Sequence, residues 1–302
     1  MNLLNKLSLL LIMVLLTFSC AGNEPEQKGS PEYIAEITEW HQKRIERLKQ
    51  DNNWLNLVGL FWLEEGDNSF GSAADNKIIF PEGSPERIGI ISLIDSSLSF
   101  TAEAGVIVTS EDNPVTELTL KEDVSGEPTI LTSGRFRWYI IKRGERYGIR
   151  LRDLEAPILK EFKGIERYPT NSDWKFEAKF EPYDPPKKIM IPNILGTTEE
   201  SNSPGALIFN KDGNEYKLDA LESRTGYFII FADETSGDET YGAGRFLYTG
   251  MQDTSGIVIL DFNKAYNPPC VFTKYATCPL PPKQNYLHLE ITSGEKMWGE
   301  MH

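Results

Sequence analysis

Short runs of alternating hydrophobic and polar residues fill most of the chain after residue 55, and Gly, Asn, Asp, Ser and Pro interrupt them. Alternation of this kind places successive side chains on opposite faces of a strand. Segment 135–153 (RFRWYIIKRGERYGIRLRD) predicts a hairpin joined at RGER, and segment 209–218 (FNKDGNEYKL) predicts another with an Asp-Gly turn. Segment 286–292 (YLHLEIT) also has the pattern of a strand. The chain is therefore predicted to be mainly β, with antiparallel sandwich-like or barrel-like sheets.

One segment near the N-terminus has helical spacing instead. Ser30 is a typical N-cap residue, and Pro31 suits the first position of a helix. Apolar side chains then recur at helical intervals, at Ile34, Ile37, Trp40, Ile45 and Leu48. The spacing predicts a single N-terminal amphipathic helix that ends near the DNN sequence at 51–53.

The pattern of strands breaks at 154–174, where Pro, Gly and Asn interrupt the alternation. We place a domain boundary inside this break. Residues 31–155 are predicted to form the helix and a first β domain, and residues 156–302 a second β domain. One continuous β structure across both halves remains the alternative.

Residues 1–20 have the features of a lipoprotein signal peptide. The apolar run 7–18 is too short to span a bilayer core of about 30 Å as a helix. Ser19 and Cys20 resemble the end of a lipobox, which predicts a lipid on Cys20 and a polar tether over 21–30. The predicted location is the bacterial cell envelope, with the lipid holding the protein to a membrane. A soluble exported protein cleaved near the same place is the alternative.

Composition and charge narrow the possible functions. Hydrophobic residues make up 40% of the chain, enough for a packed core. The net charge of −14 argues against nucleic acid and anionic membrane surfaces as partners. The three histidines, His41, His288 and His302, accompany no Gly-x-Ser-x-Gly turn, so serine-hydrolase chemistry is not indicated. Nothing in the sequence predicts a cofactor.

A loop at 260–287 contains five prolines together with Cys270 and Cys278. Proline fixes φ and prevents a strand from passing through these positions, so the loop can bring the two sulfurs together. In an exported protein this pair predicts a disulfide. A metal site and a pair of free thiols are the alternatives, although ligands for a metal are few and none is assigned.

Polar residues cluster before and within this loop. Asp233 and Asp261 with Arg245 could act as a general acid and base, or the carboxylates could bind Ca²⁺. The plainer interpretation is that Arg245 pairs with one of the carboxylates and holds the loop to the sheet. The candidate ligand-binding residues are Thr240, Tyr241, Arg245, Asn263, Tyr266 and Asn267.

The hairpin at 135–153 carries a separate group of basic residues. A cluster of cations in an acidic protein could bind an anionic ligand, and a solvated hairpin face is the alternative. The residues are Lys142, Arg143, Arg146, Arg150 and Arg152.

Two stretches carry a resemblance to a known family. The segment 231–250 (FADETSGDETYGAGRFLYTG) followed by the Asn-Pro-Pro-Cys loop resembles the uncharacterised bacterial family catalogued as domain of unknown function 1684. The resemblance implies no activity, cofactor or catalytic residue. Segment 55–153 is similar in rhythm to a forkhead-associated β-sandwich, but it lacks the Ser-x-x-His element of phosphothreonine readers.

The sequence therefore predicts a lipid-anchored, β-rich envelope module that binds a ligand or has a structural role. Its site is expected between the segment 240–245 and the loop 261–278. The alternative is a hydrolase or lyase that uses Asp233 and Asp261 with Arg245. The predicted partner is a membrane, reached through the lipid on Cys20, and a small-molecule or protein partner is left open.

Overall fold

The computed structural model describes residues 26–299. The predicted signal peptide, Cys20 and residues 21–25 of the tether lie outside these residues. The predicted helix is confirmed as α1 (Pro31–Leu48), and the Ser30 Oγ accepts a hydrogen bond of 3.2 Å from the Tyr33 N–H. It ends earlier than predicted because the N–H of Lys49 turns back to the carbonyls of the last helical turn. A one-turn helix, α2 (Ile158–Glu161), lies in the break between the two halves.

The strands of the described chain pair antiparallel in every case except β2 with β3. In chain order they are β1 (Leu57–Trp62), β2 (Gly66–Gly71), β3 (Ile78–Ile79), β4 (Gly89–Ile94), β5 (Ser97–Ala102), β6 (Thr109–Ser110), β7 (Asn113–Pro114), β8 (Glu117–Thr119), β9 (Leu131–Ser133), β10 (Phe136–Arg143), β11 (Arg146–Asp153), β12 (Lys175–Pro192), β13 (Thr198–Lys211), β14 (Asn214–Ser223), β15 (Gly226–Phe231), β16 (Arg245–Gly250) and β17 (Ile257–Asp261).

The first two sheets share one apolar core. One sheet has the order β1-β11-β10-β9-β6-β7 and the other β3-β2-β4-β5-β8. Trp138 of β10 is fully buried, and its ring meets the edges of Phe70 at 5.5 Å and Phe100 at 6.5 Å across the interface. Such aromatic contacts stabilise beyond the area that they bury. The mainly β, antiparallel architecture predicted from the sequence is confirmed.

The third sheet has the order β16-β15-β14-β13-β12-β17 and curls into a nearly closed barrel. Its interior is filled by side chains from most of its strands, with Phe262 fully buried against Phe209 at 5.5 Å and Phe231 at 5.3 Å. Phe246 of the edge strand β16 exchanges backbone hydrogen bonds of 2.9 Å with Tyr266, which lies after the other edge strand, β17. The loop that follows β17 is thereby fixed against the start of β16.

Both predicted hairpins are confirmed. Strands β10 and β11 pair in continuous register up to the turn at 144–145. Strands β13 and β14 turn at Asp212 and Gly213, which both have positive φ, as a tight hairpin turn requires. The predicted strand at 286–292 is wrong. Apart from a single bridge residue, this segment is irregular, and Arg245 and Asp233 take up the backbone groups of Ile291 instead of a neighbouring strand.

The cysteine loop is closed and held at several points. Cys270 and Cys278 form a disulfide, as predicted, with their Cα atoms 6.1 Å apart. The long β12–β13 hairpin reaches the same loop, and the Ile194 N–H donates to the Cys278 carbonyl at 3.0 Å. Gly244, at φ +85°, allows Pro281 to approach so closely that a Cβ at this position would lie 2.6 Å from the proline ring.

The sheets divide along the chain as well as in space. The first two contain residues 57–153 and the third contains residues 175–261. The division into two domains at residue 155 stays a prediction. Within residues 26–299, no helix has the length and hydropathy needed to cross a membrane.

Candidate functional site

A cavity of about 610 Å³ lies where four parts of the fold meet. Its walls come from α1, from the β10–β11 hairpin, from strands β15 and β16, and from the loop that the disulfide closes. A volume of this size is typical of small-molecule sites. We call this space the basic cavity, because five of its lining residues are cationic: Arg44, Arg47, Arg143, Arg150 and Lys264.

The charge of the basic cavity is opposite to that of the whole protein. Among the described residues that line it, no Asp or Glu occurs, although the chain has a net charge of −14. Three of the five cations are paired behind the wall: Arg44 with Glu295 at 2.5 Å, Arg143 with Asp123 at 2.9 Å, and Lys264 with Glu36 at 2.7 Å. Arg47 and Arg150 form no ion pair with any residue in the described range.

Arg150 is the most unusual of these cations. It is only 4% exposed, and its guanidinium makes two long hydrogen bonds, to the Tyr139 hydroxyl at 3.3 Å and to Thr277 Oγ1 at 3.5 Å. Its Nε has no hydrogen-bond partner within residues 26–299. Burying a charge without a counter-ion is costly, and proteins normally pair such groups. Arg150 is therefore a buried cation without a counter-ion among the described residues.

Thr277 ties this arginine to the cysteine loop. Its Oγ1 also accepts from Arg143 Nε at 3.2 Å, so one hydroxyl touches both hairpin arginines that line the basic cavity. Thr277 directly precedes Cys278, whose sulfur is fixed by the disulfide and accepts from the Cys270 N–H at 3.0 Å. The loop thus sets the position of one wall relative to the hairpin.

Aromatic side chains form the opposite wall. Phe228 and Tyr248 stack at 4.7 Å, Tyr248 and Tyr266 stack at 6.2 Å, and the guanidinium of Arg44 lies 4.3 Å above the Tyr266 ring. Burial raises the pKa of the Tyr266 phenol, so its hydroxyl stays protonated at neutral pH. Trp40, Trp54, Phe246 and Phe272 also line the basic cavity.

Asn267 connects the loop after β17 to Arg44 of α1. Its N–H donates to Glu295 Oε2 at 2.8 Å, and its amide donates to the Lys296 carbonyl at 2.7 Å. The carbonyl of Asn267 accepts from Arg44 Nη2 at 3.0 Å. Although the residue is 1% exposed, its Oδ1 has no partner in the part of the chain that the structure describes. It is a second unpartnered polar atom on a residue that lines the cavity.

The candidate catalytic pair Asp233 and Arg245 lies in the interior and does not line the basic cavity. The ion pair measures 2.7 Å, and both side chains are fully enclosed. Asp233 also accepts from the N–H and the hydroxyl of Thr235, at 2.9 and 2.6 Å. Arg245 donates to the carbonyls of Ile291 at 3.0 Å and Ser293 at 2.5 Å. The pair holds the C-terminal segment against β16.

Asp261 has a comparable anchoring role at the start of α1. Both of its carboxylate oxygens accept from the Tyr33 hydroxyl at 2.9 Å, and its Oδ1 accepts from the Asn263 N–H at 3.0 Å. Asn263 in turn donates to the Asn171 carbonyl at 2.8 Å. Neither residue lines the basic cavity. Asp233 and Asp261 thus belong to separate hydrogen-bond networks.

The remaining candidates divide between wall and interior. Thr240 is fully buried, with its Oγ1 2.9 Å from that of Thr235, and Tyr241 does not line the basic cavity. Tyr266 and Asn267 do line it. Within residues 26–299, no three His, Cys, Asp or Glu side chains are grouped so that they could hold a metal ion.

The helix also contributes to the cavity, which the sequence patterns do not predict. Trp40, Arg44 and Arg47 follow one another at intervals of four and three residues, so they lie on one face of α1. Two arginines beside a tryptophan on a helix face could have been noticed. Nothing local indicates that this face meets the hairpin carrying Arg150, because the two are about a hundred residues apart in the chain.

Residues 160–296 match the sequence model of a family described as "Protein of unknown function (DUF1684)". Residues 160–296 therefore form a domain of this family. The DUF1684 match includes the third sheet and the cysteine loop, and with them the aromatic wall of the basic cavity. It does not include α1 or the β10–β11 hairpin, which supply four of the five cations.

Comparison with solved structures gives two similar chains. One is the solution NMR structure of an uncharacterized protein of Haloarcula marismortui, at 31% identity and a TM-score of 0.38, covering 45% of this chain and 78% of that one. The other is the crystal structure of the FhaA FHA domain complexed with the intracellular domain of a second protein. It has 18% identity and a TM-score of 0.22, and covers 31% of this chain and 97% of that one. No curated protein matches the chain.

Proposed function

We propose that this protein is a binding protein that holds a small anionic molecule in the basic cavity. The observation that carries the proposal is Arg150, a buried guanidinium in the cavity wall with no carboxylate partner in the described chain. A bound anion would supply the missing counter-charge. Arg47, which also lines the cavity, would add a second cation.

The distribution of charge supports the same function. Cations gathered in a concave, low-dielectric space focus the electrostatic field and raise the local concentration of anions. Here they are gathered in an otherwise acidic protein with a net charge of −14, so the overall charge does not account for them. Ion pairs with Glu295 and Asp123, which do not line the cavity, hold Arg44 and Arg143 in position.

A binding role fits the geometry better than the hydrolase or lyase alternative. That alternative needs Asp233 and Asp261 to act on one substrate. Both carboxylates already accept hydrogen bonds from buried partners, and neither lines the basic cavity.

A fluorescent anion tests the proposal. We would titrate the intact protein with 1-anilinonaphthalene-8-sulfonate and compare Arg150→Met with Arg146→Met. Arg146 belongs to the same hairpin, but it lies over Trp62 at 4.0 Å and does not line the cavity. We expect saturable binding that Arg150→Met and added salt weaken, and that Arg146→Met leaves unchanged. Equal binding by both variants would contradict the proposal.

We further propose that the protein works at the cell envelope, anchored by a lipid on Cys20. The support is the sequence alone: a short apolar run, a small residue before Cys20 and a polar tether up to α1. We expect Cys20→Ser to move the protein from the membrane fraction to the soluble fraction and to remove the mass of the lipid. Membrane association that survives this substitution would argue against the anchor.

A further inference from the structure

The basic cavity contains more aromatic side chains than a site for a simple anion requires. Its apolar lining is dominated by seven rings, on Trp40, Trp54, Phe228, Phe246, Tyr248, Tyr266 and Phe272, whereas aliphatic side chains are few. Leu48 and Ala276 are the aliphatic members among the described residues that line it. A site for a fatty acid would be expected to present mainly Leu, Ile and Val. The lining instead favours a ligand that gains from stacking on rings.

The rings on one wall form an ordered row. Phe228 and Tyr248 are inclined by 26°, and Tyr248 and Tyr266 by 16°. The planar guanidinium of Arg44 closes the far end of the row above Tyr266. Rings stacked in this way cover one another's faces and leave their edges free, and the face of a ligand ring can meet such edges in an edge-to-face contact.

One ring of this row is incompletely covered by the protein. Tyr248 is 54% exposed although it lines the cavity between two stacked neighbours. Burying a large aromatic side chain removes more apolar surface from water than burying most other side chains does. A ligand ring placed against Tyr248 would cover this surface.

The cations and the rings belong to the same space. Arg150 lies 5.3 Å above the Trp54 ring, and both residues line the cavity. An acidic group held by Arg150 therefore brings the rest of the ligand beside aromatic side chains. Arg47 provides a second unpaired cation on the helix wall.

We infer that the ligand of the basic cavity is a planar, ring-containing acid whose anionic group binds Arg150 and whose ring lies against the row Phe228–Tyr248–Tyr266. This inference rests on the proposed function, because it assigns a chemical class to the anion that the cavity binds. It distinguishes aromatic acids from aliphatic acids of the same charge and from inorganic anions.

Matched probes test the inference by isothermal titration of the intact protein. The probes are 2-naphthoate, trans-decahydro-2-naphthoate, which has the same charge and a similar size without a flat ring, and 2-naphthamide, which has the ring without the charge. We expect 2-naphthoate to bind about tenfold more tightly than either of the others. Tyr248→Leu should remove most of this preference for the flat ring.

Tyr286→Leu is the control, because Tyr286 is also 54% exposed but does not line the cavity. If the saturated acid binds as tightly as 2-naphthoate and Arg150→Met weakens both, the inferred ring is wrong and the anion site stands. If neither acid shows binding that depends on Arg150, the proposed function fails and the inference fails with it. An unchanged preference in Tyr248→Leu would also overturn the assigned position of the ring.

Discussion

Arg245 and Asp233 form an ion pair of 2.7 Å in which neither side chain is accessible to solvent. The same guanidinium donates to the carbonyl of Ile291, and the same carboxylate accepts from the Ile291 N–H at 3.3 Å. One charged pair thus binds both backbone groups of a residue in an irregular segment. This arrangement replaces the strand pairing that the alternating sequence at 286–292 predicts.

Arg245→Met should therefore destabilise the fold strongly. The substitution leaves Asp233 buried without its counter-charge, and losing one partner of a buried pair costs about 3–5 kcal/mol. Urea unfolding measures the change. Arg224→Met is the control, because Arg224 is exposed and surface substitutions usually stay within about 0.5 kcal/mol. A loss below about 1 kcal/mol in Arg245→Met would show that the pair does not hold this segment.

Arg150→Met, in contrast, should not destabilise the fold. In the absence of a ligand, Arg150 is a buried cation without a carboxylate, so removing its charge relieves a desolvation cost. We expect the free energy of unfolding to stay the same or to rise by about 1 kcal/mol, while binding of 1-anilinonaphthalene-8-sulfonate is weakened. Binding is then weakened without a loss of stability, as expected for a functional residue.

The same urea titration decides this point. If Arg150→Met loses as much stability as Arg245→Met, Arg150 is a structural residue. The counter-ion that we assign to a ligand would then have to come from the protein itself.

A structural feature of this protein can be predicted from the sequence when the interacting residues are close together in the chain. The turn at Asp212 and Gly213 and the N-cap at Ser30 follow from local preferences, and both are present in the structure. In the sequence, Asp233 and Arg245 are candidate site residues because polar residues cluster near them. Charged residues that are buried in pairs and charged residues that bind a ligand have the same appearance in a sequence, and only burial and partners separate them.

The basic cavity is harder to predict from the sequence because its lining residues lie on elements that are far apart in the chain. Arg44 lies on the first helix, Arg150 on the β10–β11 hairpin and Tyr248 in the third sheet. Each looks ordinary in its own element, where a solvated face is the commoner interpretation. The basic residues of the hairpin indicate a possible anion site in the sequence, but the aromatic wall of the cavity depends on contacts between distant segments.

Removing the disulfide should weaken both the fold and the cavity wall. Closing a loop between residues separated by eight positions stabilises by about 2.5 kcal/mol on a chain-entropy model. The double variant Cys270→Ser/Cys278→Ser should lose stability of this order. It should also bind anions less tightly, because Thr277, which contacts Arg143 and Arg150, would no longer be fixed.

Reducing agent provides the matched control. The wild-type protein in dithiothreitol should lose the same amount of stability, whereas the double variant should not respond. Full stability and full affinity in the double variant would indicate that the prolines alone hold the loop.

His41 should make the protein less stable in mild acid. Burial is the main reason that its pKa lies below the usual value of 6.5. Glu295, whose Oε1 is 3.8 Å from His41 Nε2, acts in the opposite direction, and Arg167 and Arg44 reinforce the lowering. Below about pH 6.5 the unfolded chain binds a proton at this histidine that the folded protein resists. The free energy of unfolding therefore falls as the pH decreases from about 6.5 towards the lowered pKa.

Urea titrations between about pH 7.5 and pH 5 measure this dependence. His41→Gln should lose part of the fall in stability, whereas His288→Gln should keep it, because the His288 side chain is exposed. The acid form should also loosen the basic cavity, since a protonated His41 competes with Arg44 for the carboxylate of Glu295. If His41→Gln follows the wild-type curve throughout this range, the histidine does not control the acid sensitivity of the fold.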